Sequence, residues 1–90
     1  MKISLGQTVV TIGVSGLIES QKIHHSQILE ILSKQENCDW GTSSDKALND
    51  AAARHGNDRC MGVHTVNGIK LWVITEADRS STTILLPSEY

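Results

Sequence analysis

The side chains of this chain that could perform chemistry are concentrated in one polar segment that lies between two apolar ones. The segment contains two carboxylates, one guanidinium and several hydroxyls: Thr75, Glu76, Asp78, Arg79, Ser80, Ser81, Thr82 and Thr83. A carboxylate can act as a general base, and a guanidinium can hold a phosphate through paired hydrogen bonds, so these types fit phosphodiester chemistry. They also fit a turn in which Asp78 and the serines bond backbone amides while Arg79 pairs with Glu76 or Asp78. The spacing does not separate the two interpretations, and we favour the turn.

A second group of reactive side chains could bind a metal: Cys38, His55, Cys60 and His64. The spacing His-x4-Cys-x3-His differs from the paired layouts that zinc ligands normally show. We therefore predict ordinary surface or half-buried residues, with no metal and no cofactor.

Two thiols without an export signal are typical of reduced cysteines in a cytoplasmic protein. No run approaches the roughly 20 apolar residues of a membrane span, so we expect no membrane contact.

The polar segment must be positioned by the strands on either side of it. Asn67-Gly68 is a strong hairpin signal, because a type I′ turn needs positive φ at both central residues. A two-residue loop there predicts three cross-strand pairs: Val66 with Ile69, Val63 with Trp72, and Arg59 with Glu76. The strand 69–75 is apolar on both faces, which predicts a central position. A third strand over 82–86 ends at Pro87, so we expect a meander.

Three upstream segments have helical patterns. In the first, Thr11 as a cap precedes Val14, Leu17 and Ile18, which are spaced for one helical face. In the second, Ser26 precedes the amphipathic pattern of Ile28, Leu29, Ile31 and Leu32. The third segment spans about 43–55, where Thr42 three residues ahead of Asp45 resembles a capping box and Gly56 closes the helix. The spacing predicts a helix in each segment, although Gly13 and Gly16 disfavour the first one, for which a continued β-strand is the alternative.

The remaining residues complete the fold expectation. Ile3 and Leu5 alternate with polar neighbours, and Gly6-Gln7 interrupts the pattern before Val9-Val10. The start of the chain therefore predicts a short strand, which we expect at an edge of the sheet. Phe is absent, so Trp40 and Trp72 are the large candidates for the core, with Trp40 entering it from a loop. Ninety residues form one domain, 1–90. We predict an α+β domain with two or three N-terminal helices packed on a three- or four-stranded antiparallel sheet.

The net charge of −2 gives the chain no general attraction for phosphate backbones, so a nucleic-acid partner is not expected. A strand that is apolar on both faces needs more covering material than so short a chain readily provides. Self-association, or docking on a host protein, would supply it. The expected partner is therefore a second copy or another protein.

The C-terminal block resembles a known group of proteins. Residues 72–90, WVITEADRSSTTILLPSEY, together with Asp39-Trp40-Gly41 and the Asp45…Leu48-Asn49 helix, are similar to short uncharacterised bacterial proteins described as plasmid-related. The resemblance implies carriage on plasmids, integron cassettes or similar mobile DNA, and it implies no activity. Within the block we take as candidate binding residues Trp72, Asp78, Arg79 and Thr82.

A second likeness concerns layout only. N-terminal helices packed on an antiparallel sheet are similar to the compact RNases of the barnase, colicin and RelE type, which cleave without a metal. That likeness implies Glu76 as base, Arg79 as the group that stabilises the phosphorane, and His64 or His55 as acid. Our leading hypothesis remains a non-enzymatic cytoplasmic protein that acts by protein contact. A small metal-independent RNase is the alternative.

Overall fold

A computed structural model describes all 90 residues and contains a four-stranded sheet with three α-helices. In chain order the elements are β1 (Gln7–Val10), α1 (Ile12–Glu19), α2 (His25–Glu36), α3 (Lys46–His55), β2 (Cys60–Val66), β3 (Ile69–Thr75), β4 (Ser81–Leu85) and a short 3-10 helix (Pro87–Glu89). The strand order is β1-β4-β3-β2. The predicted α+β class is confirmed, as are the helices ahead of most strands.

The hairpin between β2 and β3 forms in the predicted register. Asn67 and Gly68 have φ angles of 51° and 79°, as a type I′ turn requires. Val66 lies opposite Ile69, and the pairing continues to Cys60 opposite Thr75. Strand β4 pairs antiparallel with β3, which confirms the predicted meander.

The expectation of an antiparallel sheet throughout is wrong for one pair, since β1 runs parallel to β4. The first strand also begins later than Ile3 and Leu5 suggested. Ile3 is buried instead, and its N–H donates to the carbonyl of Glu36 at 3.0 Å. Gly6 has a φ of 63°, and a Cβ there would lie 2.4 Å from the Arg79 carbonyl oxygen. A glycine therefore lets the chain pass the 79–80 turn and enter the sheet beside β4.

Thr11 caps α1 as predicted, because its Oγ1 accepts from the N–H of Val14 at 3.5 Å. A second cap comes from the other end of the chain. The Glu89 carboxylate accepts from the Thr11 hydroxyl and, at 3.0 Å, from the N–H of Gly13. These bonds, with that to Thr11 foremost, lower the pKa of Glu89. The 3-10 helix is thereby joined to the N-terminus of α1.

The third helix begins at Lys46, so the predicted capping box of Thr42 with Asp45 is wrong. The residues ahead of the helix are hydrogen-bonded to the sheet instead, since the Thr42 N–H donates to the Val63 carbonyl at 2.9 Å. The C-terminal prediction is confirmed. Gly56 follows the last turn with a φ of 66°.

Apolar residues form two clusters. The larger lies between α1, α2 and one face of the sheet, and contains Val14, Ile23, Ile28, Ile31, Leu71, Val73 and Ile84. The smaller contains Ile3, Trp40, Ala52 and Cys60. Trp40 enters from a loop as predicted, and its indole N–H donates to Asp50 at 2.8 Å.

The other face of the sheet is only partly covered. On that face Trp72 is half-buried beneath the edge of the Tyr90 ring, with 5.3 Å between the ring centroids. Lys70 on the same face is exposed. Strand β3 is central, but the covering of its second face is incomplete. None of the helices has the length and hydrophobicity needed to cross a membrane.

Candidate functional site

The polar turn between β3 and β4 is held by Arg79, which bonds backbone carbonyls. Its Nη1 donates to the carbonyls of Asp58 at 2.8 Å and Glu76 at 3.0 Å, and its Nη2 donates to that of Ala52 at 2.8 Å. These carbonyls come from three separate parts of the chain: the last turn of α3, the residues before β2 and the turn itself. Arg79 adopts a φ of 61°, a conformation that costs a non-glycine residue free energy. The surrounding contacts therefore impose this backbone conformation.

The carboxylate of Asp78 stabilises the same turn. Its Oδ1 accepts from the N–H of Ser80 at 3.0 Å and from the Ser80 hydroxyl at 2.6 Å. These bonds to Ser80 lower the pKa of Asp78. The arrangement is an Asx turn, in which a side chain replaces a backbone acceptor.

Glu76 lies on the surface and pairs with Arg59, its predicted cross-strand neighbour, with 3.3 Å between Nε and Oε1. Arg59 also donates from Nη1 to the Tyr90 hydroxyl at 3.2 Å. The bond to Tyr90 is the main reason that the pKa of Arg59 is raised. Both side chains of the ion pair remain about two-fifths exposed. The pair is therefore open to solvent and contributes little to stability.

The hydroxyl of Thr82, a predicted binding residue, lies inside the protein. Thr82 is completely buried and donates to the carbonyl of Leu5 at 2.8 Å. Trp72, another predicted binding residue, lies under Tyr90 as described. Of the four predicted binding residues only Asp78 is exposed, and the structure does not bring them together as one surface.

Neither histidine suggested as an acid lies within the polar turn. His64 is four residues along β2 from Cys60, the residue that pairs with Thr75, so it lies about 13 Å farther along the sheet. Burial lowers the pKa of His64, and its Nε2 has no hydrogen-bond partner. His55 is the exposed last residue of α3.

A cleft of about 320 Å³ lies between α3 and the partly covered face of the sheet. Its apolar lining includes Leu48, Met61 and Ile74, and its polar lining includes Arg59 and Tyr90. Leu48 and Tyr90 are 70% and 68% exposed, so large apolar side chains border the opening. The cleft could not be recognised in the sequence, because its lining comes from α3, from β2 and β3 and from Tyr90, which are far apart in the chain. The available signal was Leu48, a large apolar residue that shares one helix face with Ala51 and Ala52, and all three line the cleft.

The cysteines are both free thiols, with Cys60 buried and Cys38 half-buried. Burial raises the pKa of each of them. A raised pKa keeps a thiol protonated and unreactive at neutral pH. The protein has no group of three or more His, Cys, Asp or Glu side chains arranged to hold a metal ion.

Comparison of the chain with protein-family models, with curated proteins and with solved structures found no match.

Proposed function

We propose that this protein acts by binding another protein in the bacterial cytoplasm and that it is encoded on mobile DNA. The observation that carries the proposal is the engagement of Arg79 by three backbone carbonyls within 3.0 Å. Three of the five N–H donors of this guanidinium are thereby engaged, so a phosphate would have to compete with backbone carbonyls for most of them, and each displaced carbonyl would lose a hydrogen bond. The group best suited to nucleotide chemistry thus serves the fold, which favours binding over catalysis.

The cleft beside α3 is the contact surface in this proposal. Tyr and Arg are enriched among residues that dominate binding energies, and Tyr90 and Arg59 meet at its border, with 5.8 Å from the guanidinium carbon to the ring centroid. The floor includes Met61 and Ile74 and is apolar. The partner presents an apolar side chain, which enters between Leu48 and Tyr90 and covers the open face of the sheet.

The genetic context in the proposal depends on a different observation. The resemblance of residues 72–90 to plasmid-related bacterial proteins supports carriage on mobile DNA. It supports nothing about the partner, which is defined by the cleft.

The binding proposal is tested with a photo-crosslinking amino acid in place of Leu48, expressed in the bacterial host, with the same amino acid at the exposed Ser33 of α2 as control. We expect one protein to be captured from Leu48 and not from Ser33. That protein is then purified and titrated against the wild-type chain and the Leu48→Asp and Ser33→Asp variants. Leu48→Asp is expected to weaken binding at least about tenfold, as loss of a contact that dominates the interface does. Equal binding by both variants would refute the role of the cleft.

RNA cleavage is the result that would overturn the proposal as a whole. The purified protein is incubated with RNA beside Glu76→Gln and Arg79→Lys, and folding is checked by circular dichroism. We expect no cleavage by any of the three. Cleavage by the wild type that Glu76→Gln abolishes without unfolding would establish an enzyme. Glu76→Gln decides the outcome even if Arg79→Lys fails to fold.

A further inference from the structure

Strand β1 lies at the edge of the sheet, and its outer side is unpaired. It pairs only with β4, and the N–H groups of Gln7 and Thr11 donate inward to the carbonyls of Ser80 and Ile84 at 3.0 and 3.1 Å. Backbone groups of an extended strand point alternately to its two sides. The N–H and C=O groups of Thr8 and Val10 therefore point outward. Every residue of β1 is exposed, so nothing in this chain covers the edge.

The opposite edge of the sheet is protected. The side-chain amide of Asn49 accepts from the N–H of Met61 at 2.9 Å and donates to its carbonyl at 2.7 Å. The next outward-facing residue, Val63, bonds the backbone of Trp40 and Thr42 at 3.0 and 2.9 Å. An open edge can pair with another chain, so proteins usually cover it with other residues or place charged side chains on it. Here the chain covers the β2 edge at Met61 and Val63 and leaves the β1 edge open.

Strand β1 itself lacks the charges that normally prevent edge pairing. The strand is Gln7-Thr8-Val9-Val10, and none of its residues is charged. Beside it Val9, Val10, Ile12 and Leu29 are 41%, 37%, 89% and 55% exposed. A groove of about 310 Å³, lined mainly by apolar residues, separates β1 from α2. Val9, Val10 and Leu29 line this groove, so exposed apolar side chains lie beside the free backbone groups.

We propose that β1 pairs antiparallel with β1 of a second copy of this chain about a twofold axis through Val9. In this register Thr8 of each copy lies opposite Val10 of the other, and both carry outward-pointing backbone groups. Each such pair exchanges two hydrogen bonds, so the contact makes about four. The two Val9 side chains meet at the axis. The two sheets become one continuous sheet.

The second copy is the fitting occupant because the strand is complementary to itself. Its outward-pointing residues are placed symmetrically about Val9, and the absence of charge removes the repulsion that identical charged strands would experience. The strand is bounded by Gly6, with a φ of 63°, and by Thr11, the cap of α1. So short a contact falls at the small end of specific interfaces. We therefore expect a dissociation constant for the dimer in the micromolar to millimolar range. The surface shares no lining residue with the α3 cleft, so this inference goes beyond the proposed function and does not depend on it.

Sedimentation equilibrium from about 10 μM to 1 mM tests the association, since this range spans the expected dissociation constant. We expect a reversible monomer–dimer equilibrium. Val9→Lys places two ammonium groups opposite each other and should shift dissociation to at least about tenfold higher concentration. Leu48→Lys adds the same charge at the α3 cleft and should leave the equilibrium unchanged. A wild type that stays monomeric throughout the range would overturn the proposal.

Disulfide formation tests the register. Residues opposite each other at non-hydrogen-bonded positions have Cα atoms about 4.5 Å apart, a separation that a disulfide can bridge. In a Cys38→Ser background, Val9→Cys should therefore oxidise to a covalent dimer. Gln7→Cys should not, because two copies of residue 7 would be offset by roughly 13 Å. Equal cross-linking of both variants would refute this register. Loss of the dimer in Leu48→Lys but not in Val9→Lys would refute the edge pairing and assign the association to the cleft.

Discussion

The hydroxyls of Thr75 and Thr82 are hydrogen-bonded to each other at 2.8 Å, and both residues are completely buried. The Gln35 side chain donates to Thr75 at 3.1 Å, and Thr82 donates to the Leu5 carbonyl at 2.8 Å, so Thr75 donates to Thr82. This chain of bonds connects α2, both central strands and the segment before β1. Buried polar groups of this kind are favourable only while each retains its partner.

Replacing Thr75 with valine should destabilise the protein by about 1–3 kcal/mol. The shape is preserved, but Gln35 loses an acceptor and Thr82 loses a donor in the interior. Thr83→Val is the matched control, because Thr83 is half-buried on the other face of the sheet, and its effect should stay within about 0.5 kcal/mol. Urea denaturation measures both. Similar stabilities for the two variants would show that the buried bonds contribute nothing.

Removing the Arg79 side chain should lower the stability of the protein. Arg79→Ala releases three carbonyls, and with partial exposure taken into account the loss is expected to be about 2 kcal/mol. Arg79→Gly removes the same bonds but accepts a φ of 61° without strain, so it should be about 1 kcal/mol less destabilised than Arg79→Ala. Denaturant midpoints compare the two variants. A glycine variant less stable than the alanine variant would contradict the imposed backbone conformation.

Asn49 should be required for the protected edge of the sheet. Asn49→Ala leaves the N–H and C=O of Met61 without their partners, at a cost of about 2 kcal/mol. Hydrogen exchange measured by NMR should show faster exchange of the Met61 amide than global destabilisation explains. The exposed Asn57→Ala is the control and should leave that amide unchanged. Unchanged protection in Asn49→Ala would indicate that another group covers the edge.

His64 should make the protein less stable in mild acid. Burial lowers the pKa of His64 below its ordinary value of 6.5, so the unfolded chain binds a proton more readily than the folded one. The stability is therefore complete above about pH 6.5 and falls as the pH decreases from there towards the folded pKa. Urea midpoints at several pH values should show this decrease in the wild type and in the exposed His55→Gln, and not in His64→Gln. A decrease that persists in His64→Gln would assign it to another group.

The features that could be predicted from the sequence are those set by neighbours in the chain. Asn67-Gly68 determines its turn through its own φ angles, and the turn then determines the register of β2 and β3. Thr11 and Gly56 act within one helical turn. Each of these predictions depended on a few adjacent residues, and each is confirmed.

The features that could not be predicted depend on distant partners. Thr42 has the spacing of a capping residue, but a backbone bond to Val63 stabilises a different conformation. The expected acidic partners of Arg79 are adjacent in sequence, whereas the carbonyl of Ala52 reaches it through the fold of α3. Strand β1 could likewise have paired with either edge of the sheet formed by β4, β3 and β2. No local sequence pattern determines that it pairs in parallel with β4.

The parallel pairing of β1 with β4 also determines when the molecule can be completed on the ribosome. The hairpin of β2 and β3 can form soon after its residues emerge, but β1 must wait for β4. At bacterial and eukaryotic elongation rates that delay is roughly 4 to 15 seconds. During this delay the nascent chain exposes residues 7–10 with the backbone groups on both sides of the strand unpaired. We expect the nascent chain to be most prone to misassembly at this stage.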